Sequence, residues 1–162
     1  MRQQHASRKL PPSRADALLA ATLAHAARCG AQPLANIAGG VAHVGVPAAS
    51  ATPLFDALAA RAKAVDAQLQ PRHAANLAWA YASVGVAASP LVDAVGAAVR
   101  RRAAEFNAQE LVMATAALGR LHGAKRWKRS RRRRIERALK RLARAARPWL
   151  CLLYTSPSPR DS

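Results

Sequence analysis

The sequence predicts an all-α fold, an α-solenoid of about three helical-hairpin repeats of 37 to 40 residues that is followed by a basic helix. The first observation is internal similarity at an offset of 40, because Ala35-Asn36-Ile37-Ala38 matches Ala75-Asn76-Leu77-Ala78. The second is apolar spacing typical of one helix face, as at Leu77, Tyr81 and Val84. The third is the lack of alternating β-branched and aromatic runs that would indicate strands. Units of this size become stable by stacking on their neighbours.

Two kinds of signal place the helices along the chain. Gly85 follows an apolar helical face and is expected to end that helix. Pro53 stands three residues before Asp56, and Pro90 stands three before Asp93. A proline in the first turn and a carboxylate near the positive helix end predict that the third and fifth helices begin there. The expected helices cover about 13–28, 32–44, 53–68, 71–84, 90–105, 108–121 and 128–147.

The two ends of the chain differ from its middle. Asp16 opens an Asp-Ala-Leu triplet, as Asp56 does, so the first helix corresponds to the second half of a repeat, and Met1 is expected to lie inside a longer protein. A basic organellar presequence is the alternative for the N-terminus. The tail resembles a translated library adapter. The expected divisions are 1–12, basic and disordered; 13–122, the repeat array; 123–149, a basic amphipathic helix; and 150–162, disordered and non-native.

Positive charge is concentrated in the last helix. The formal net charge is +18, and residues 120–150 hold fourteen basic residues against one acidic residue. Ile135, Ala138 and Leu142 form an apolar stripe within this segment, which predicts a helix that docks by one face and presents guanidinium groups on the other. Arginine suits phosphate because its planar fork makes paired hydrogen bonds. The alternatives are a nuclear-localisation run, a helix on an acidic membrane surface, and a solvated face without a ligand.

The candidate phosphate-contacting residues are Arg100, Arg101, Arg102, Lys125, Arg126, Lys128, Arg129, Arg131, Arg132, Arg133, Arg134, Arg137, Lys140, Arg141 and Arg144. The three consecutive arginines of this set end the fifth helix, where cations also interact favourably with the helix dipole.

A second set of residues forms an outward row on the even-numbered helices. Arg72, Asn76, Trp79 and Ser83 are spaced so that they share one stripe, opposite the apolar face. Stacked units would align such stripes into adjacent positions that each contact one base, with an aromatic ring to stack on it. The alternative is that the asparagines bind the turns between helices and that the tryptophan packs on a neighbour. The candidate base-contacting residues are Gln32, Asn36, His43, Arg72, Asn76, Trp79, Ser83, Gln109, Met113 and Arg120.

The strings Leu69-Gln70-Pro71-Arg72-His73-Ala74-Ala75-Asn76-Leu77-Ala78-Trp79-Ala80-Tyr81-Ala82-Ser83-Val84-Gly85 and Phe106-Asn107-Ala108-Gln109-Glu110-Leu111 resemble octotricopeptide repeats. They are also similar to the helical repeats of FAST-kinase-like proteins and of RNA-editing substrate-binding complex proteins. The resemblance covers residues 13 to 122 and implies RNA binding in mitochondria or plastids, with a role in transcript stability, processing or translation. Met113 and Ala116 depart from the asparagine and tryptophan of the second unit, so the third unit is either decayed or reads a different base.

Other functional classes find little support in the sequence. The eight acidic residues form no evident acid and base pair, and no Ser, His and Asp arrangement is enforced by the repeat, so we expect no enzyme, no cofactor and no small-molecule substrate. His25 and Cys29 are too few for a metal site. The uncharged stretch 29–55 is interrupted by polar residues, glycines and prolines, which argues against a transmembrane segment.

Single-stranded RNA is the expected partner in a mitochondrion or plastid, with the nucleus as the alternative. A protein-interaction scaffold, which is also built from α-solenoids, is the competing function.

Overall fold

The structure is a computed structural model that describes residues 12–123 and 129–155. Within these ranges it is all-helical, with seven packed α-helices, two 3₁₀ turns and no strand, which confirms the predicted all-α class. The helices are α1 (Pro12–Ala26), α2 (Ala31–Val44), α3 (Ala48–Ala64), α4 (Pro71–Val84), α5 (Ser89–Arg102), α6 (Ala108–Gly123) and α7 (Arg129–Thr155). The 3₁₀ turns are Asp66–Gln68 and Ala103–Glu105.

The helices pack in two rows. In the first row α2 packs against α4 and α4 against α6; in the second, α1 packs against α3, α3 against α5 and α5 against α7. The rows meet where α5 packs on α4 and α7 packs on α6. The core is rich in alanine, and such small side chains allow helix axes to approach closely. Each helix therefore depends on its neighbours for burial of its apolar face.

The largest buried side chains join the two rows. Tyr81 of α4 and Phe55 of α3 are fully buried, and their ring centroids lie 4.6 Å apart. The Tyr81 hydroxyl donates a hydrogen bond to the backbone carbonyl of Phe55. Burial, with a smaller contribution from the Asp56 carboxylate, raises the pKa of Tyr81 far above its ordinary value. Leu77 is also fully buried, so the predicted core face of α4 is confirmed.

Several predicted helix ends are confirmed by the backbone. Gly45 and Gly85 follow α2 and α4 with φ values of 71° and 79°, in the left-handed region that favours glycine. The Asn107 and Glu110 side chains each accept a hydrogen bond of 2.9 Å from the other residue's backbone N–H at the start of α6. This reciprocal pair satisfies two donors that a helix start leaves unpaired.

The prediction that α3 begins at Pro53 is wrong. The helix begins at Ala48, directly after Pro47, and Pro53 lies inside it. The residues between the two prolines include three alanines, which favour helix, and Thr52 Oγ1 donates to the Ala48 carbonyl at 2.7 Å. Asp56 therefore lies beyond the first turn of α3, and Asp93 lies beyond the first turn of α5, which begins at Ser89. The predicted interaction of these two carboxylates with a positive helix end is wrong.

Other boundaries differ by a few residues. The helices α3 and α5 end at Ala64 and Arg102, and the 3₁₀ turns account for the remainder of the predicted spans. The last helix continues through Pro148 to Thr155, so residues 150–155, expected to be disordered, are helical here. The predictions for 1–11 and 156–162, and those for Lys125, Arg126 and Lys128, lie outside the described residues.

Candidate nucleic-acid interface

The predicted base-contacting row lies along a groove on the exposed side of α2, α4 and α6. A cavity of about 500 Å³ crosses the three helices there. Its lining consists of Ala35, Asn36, Gly39, Gly40, His43, Asn76, Trp79 and Met113. Five candidates from three helices therefore line one continuous surface. Among them, Asn36, Asn76 and Met113 are related by sequence offsets of 40 and 37.

Two consecutive glycines open this groove on the α2 side. A Cβ atom built at Gly39 or at Gly40 would have nothing within 4 Å outside the local backbone. The equivalent positions in α4 are occupied by Trp79 and Ala80. The Trp79 ring packs against the His43 ring of α2. The two ring centroids lie 4.9 Å apart, and the interplanar angle is 43°. The groove is therefore wide at α2 and walled by aromatic rings between α2 and α4.

The two groove asparagines are not turn-binding residues. Asn36 and Asn76 lie within α2 and α4, and both are exposed. Within the described ranges neither amide makes a hydrogen bond with another residue, so the alternative role in the turns between helices is wrong. Trp79 is half-buried against the core, as the packing alternative predicts, and it also lines the groove, where stacking on a base stays a prediction. Amide donors and acceptors beside an aromatic ring are the groups that recognise unstacked bases.

The other base-contacting candidates are exposed but lie outside the groove lining. This group consists of Gln32, Arg72, Ser83, Gln109 and Arg120. The described lining includes no Lys, Arg, Asp or Glu side chain. A continuous positive groove that joined Arg72, Arg120 and the last helix would favour RNA binding, whereas the described lining is uncharged and does not extend to that helix. The basic side chains lie on another part of the surface.

The basic side chains gather between α3, α5 and α7, in the second row of helices. A cavity of about 330 Å³ opens there, bordered by Lys63, Val92, Asp93, Gly96, Arg100, Arg134, Arg137, Ala138 and Arg141. Four of these are predicted phosphate contacts. Lys63 and Asp93 were missed, since Lys63 is an isolated cation in the sequence and Asp93 was assigned to a helix end. The sequence similarity of Asp56 and Asp93, at an offset of 37, does not indicate that Asp93 contacts Arg134, because Arg134 belongs to α7, outside the similar segments.

Three of the predicted phosphate contacts are paired with acids instead. Arg101 lies 3.6 Å from an Asp66 carboxylate oxygen and also donates to the Asp66 backbone carbonyl. Arg102 contacts Glu105 at 3.0 Å. These pairs connect the end of α5 to the two 3₁₀ turns. Arg134 bonds Asp93, whose other oxygen lies 4.0 Å from the Lys63 ammonium group. The Arg101 and Arg102 side chains therefore form ion pairs within the fold.

The remaining cations of α7 mostly face solvent. Ile135, Ala138 and Leu142 are buried, which confirms the predicted docking stripe. Arg132 is half-buried, and its Nε has no hydrogen-bond partner among the described residues. Of Arg131, the structure describes the backbone alone. The exposed cations of α7 are Arg129, Arg133, Arg134, Arg137, Lys140, Arg141, Arg144 and Arg147. The last helix therefore docks by one stripe and presents a dense positive surface.

An apolar cavity between α1 and α2 is the third surface feature. Its volume is about 260 Å³, and its lining includes Leu18, Ile37, Gly40 and Val44. The exposed fraction of Leu18 is 52%, although Leu58, its equivalent at an offset of 40, is fully buried. The α4 equivalents of Ile37 and Gly40 are likewise fully buried. These positions become buried wherever another helix precedes them in the row.

Comparisons with known proteins found no matching family model, no matching curated protein and no matching solved structure. Among residues 12–123 and 129–155, no helix combines the length and the hydropathy needed to cross a membrane. No group of three or more His, Cys, Asp or Glu residues that could bind a metal ion occurs in that part of the chain. The geometry of the two surfaces is therefore the basis for a functional proposal.

Proposed function

We propose that this chain is an RNA-binding helical-repeat protein, three units of an α-solenoid, and that it binds single-stranded RNA. The supporting observation is that Asn36, Asn76, Trp79 and Met113 from three repeat units line one uncharged groove. Stacked helical repeats that read RNA use two or three side chains for each base. Here the repeat supplies equivalent positions on neighbouring helices, so successive bases would meet successive units.

The phosphate backbone would be held by the exposed cations of α7. Arginine makes charge-assisted, paired hydrogen bonds to phosphate and stays ionised at any physiological pH. Among the described residues, eight cations of this helix are exposed, whereas the groove lining includes no Lys or Arg. In this arrangement α7 supplies affinity and the groove supplies base preference, which is the usual division between phosphate and base contacts.

The cellular role follows from the resemblance of residues 13 to 122 to octotricopeptide and FAST-kinase-like repeats. On that basis the proposed setting is RNA metabolism in a mitochondrion or plastid, in transcript stability, processing or translation. The departure at Met113, which stands where the other units have asparagine, gives the third unit a different base preference. A thioether cannot donate a hydrogen bond, so this position would favour stacking over base-edge contacts.

The test is a filter-binding titration of the intact chain with single-stranded RNA across a series of salt concentrations. Each phosphate contact contributes roughly 0.7 to the slope of log K against log salt for single strands. Binding that weakens steeply with salt, and that differs between homopolymer sequences, supports the proposal. Binding that does not occur, or that ignores salt, overturns it.

A protein-interaction scaffold is the second candidate, and the apolar cavity between α1 and α2 favours it. The occupant would be an amphipathic helix that packs on α2 in the way that α2 packs on α4. The reason is that the cavity positions of α2 are open, whereas the corresponding positions of α4 are buried by α2. A synthetic peptide of residues 69–86 provides the required face, since α4 presents it to α6. Saturable binding that is lost in Ile37→Glu and kept in Leu23→Glu, an exposed position outside the cavity, would support this function. Equal binding by both variants would reject it.

A further inference from the structure

The cavity between α3, α5 and α7 has a strongly positive border. Its border contains five cationic side chains and one carboxylate, a net charge of +4 around about 330 Å³. Asp93 is shared between Lys63 and Arg134. Arg100, Arg137 and Arg141 have no carboxylate partner among the described residues. Like charges held this close repel one another, and a bound anion would remove that cost.

The backbone leaves room for a ligand at this point. Gly96 lies in the middle of α5, where a glycine costs about 1 kcal/mol of helix stability relative to alanine. It borders the cavity, and the nearest atom to a Cβ built there would be Nη1 of Arg100, at 3.9 Å. Arg100 therefore folds back over its own helix across the bare backbone of Gly96. A longer side chain at this position would occupy the space that the cavity now leaves open.

We infer that this cavity is a binding site for a triphosphate group. A triphosphate is a compact anion with about four negative charges at neutral pH, since its terminal phosphate is largely doubly ionised. That charge matches the net charge of the border. Arg100, Arg137 and Arg141 each offer a planar fork of donors to phosphate oxygens, and Lys63 offers a point charge. Asp93 accepts a hydrogen bond from Arg134, and its other oxygen lies 4.0 Å from the Lys63 ammonium group, so the carboxylate holds both cations at the border.

The site is separate from the proposed base-contacting groove. None of its border residues lines the groove, and the two cavities belong to different rows of helices. The triphosphate has two chemical sources, which are a free nucleoside triphosphate and the 5′-triphosphate end of an RNA. The proposal concerns the shared group and holds for either source, so it does not depend on base recognition in the groove.

The test is isothermal titration calorimetry of the intact chain with inorganic tripolyphosphate, using charge-matched variants. Arg137→Gln and Arg147→Gln remove the same charge from exposed positions of α7, but only Arg137 borders the cavity. We expect one-to-one binding that falls about tenfold or more in Arg137→Gln, because a hydrogen bond to a charged group is lost. Arg147→Gln should change the affinity by less than about threefold, since its charge is screened by solvent.

Two further measurements complete the test. Arg100→Gln, on a different helix, should weaken tripolyphosphate binding to a similar degree as Arg137→Gln, while circular dichroism verifies that each variant keeps its helix content. The source is identified with ATP and with one short RNA prepared with either a 5′-triphosphate or a 5′-hydroxyl. Equal losses in Arg137→Gln and Arg147→Gln, or sulfate binding as strong as tripolyphosphate binding, would overturn the site and assign the effect to diffuse charge. Trp79→Ala, which alters the groove, should leave tripolyphosphate binding unchanged.

Discussion

The two rows of helices present surfaces of opposite character. The exposed side of α2, α4 and α6 has an uncharged groove with amide and aromatic groups, whereas α3, α5 and α7 surround a cavity with a net charge of +4. The groove follows the internal sequence similarity, because Asn36, Asn76 and Met113, at offsets of 40 and 37, all line it. The basic cavity does not follow it, because three of its five cations come from α7, which lies outside the similar segments. The groove fits the proposed contacts with successive bases, and the basic cavity fits the proposed binding of phosphate groups.

The largest expected effect is a loss of RNA affinity when exposed positive charges of α7 are removed. Changing four exposed arginines of α7 to glutamine should lower the affinity for single-stranded RNA by roughly two to three orders of magnitude at about 0.1 M salt, and the salt slope by roughly 3, if each contacts one phosphate. The four are Arg133, Arg137, Arg141 and Arg144. Filter binding across a salt series measures both quantities.

The control for this variant changes cations on the other side of the molecule. Arg14→Gln combined with Arg28→Gln alters exposed residues at the two ends of the α1 region, and it should leave the salt slope nearly unchanged. A loss per removed charge that is the same in both variants would contradict a specific phosphate surface on α7.

The next effect concerns the groove. Trp79→Ala removes a stacking surface and should cost about 1 to 3 kcal/mol of RNA binding, with a change in base preference and an unchanged salt slope. Binding to a set of homopolymers measures the preference. Val112→Ala alters an apolar residue of α6 that is 68% exposed and outside the groove, and it should have no such effect. If Trp79→Ala instead unfolds the chain, the ring is mainly a packing group.

A third prediction tests the contact between Tyr81 and Phe55, which joins the two rows of helices. Tyr81→Phe removes the side-chain hydrogen bond to the Phe55 carbonyl, which lies inside α3 and keeps its helical backbone donor, so the free energy of unfolding should fall by about 0.5 to 1.5 kcal/mol. The folded state raises the pKa of Tyr81. The stability that depends on its neutral form is therefore complete below about pH 10, the ordinary tyrosine value, and is lost as the pH rises above it. Urea unfolding at neutral and alkaline pH should show this loss in the parent chain and less of it in Tyr81→Phe.

The control for the Tyr81 hydrogen bond is a hydrogen bond from an exposed hydroxyl. Thr22→Val removes the 2.7 Å hydrogen bond that Thr22 donates to the Leu18 carbonyl on the surface of α1. Water can replace that bond, so the free energy of unfolding should change by less than about 0.5 kcal/mol. A larger loss in Thr22→Val than in Tyr81→Phe would show that the Tyr81 bond does not hold the rows together.

The smallest effect is a pH dependence at the start of α4. Burial, and then the positive charge of Arg72, lower the pKa of His73 below its ordinary value of 6.5. The unfolded chain therefore binds a proton more readily, and stability should fall as the pH decreases below about 6.5. Nδ1 of this histidine accepts the Gln70 backbone N–H at 3.4 Å, which requires the unprotonated nitrogen.

Thermal melts between pH 5 and pH 8 measure this dependence. His73→Gln should flatten the acid-side decline, because glutamine does not titrate. His25→Gln, which changes an exposed histidine of α1, should leave the decline as it is in the parent chain. A decline that persists unchanged in His73→Gln would assign the acid sensitivity to another group.

The sequence by itself determined the helical class, the breaks at Gly45 and Gly85, the apolar faces of α4 and α7 and the outward direction of Asn36, Asn76 and Trp79. These features depend on local periodicity and on backbone conformation, which neighbouring residues encode. The start of α3 was mispredicted because Pro53 fits a first turn equally well by local rules, and only the preceding alanine-rich segment, once packed, decided otherwise.

Tertiary structure alone decided which distant residues meet. Asp93, Lys63 and Arg134 come from three helices, and their ion pairs depend on how α5 packs between α3 and α7. Likewise, a linear charge count could not distinguish Arg101 and Arg102, which are paired with acids, from Arg100 and Arg137, which border the cavity. Charge is a property of composition, but its pairing depends on distances of a few ångströms across the packed helices, and the sequence does not specify those distances.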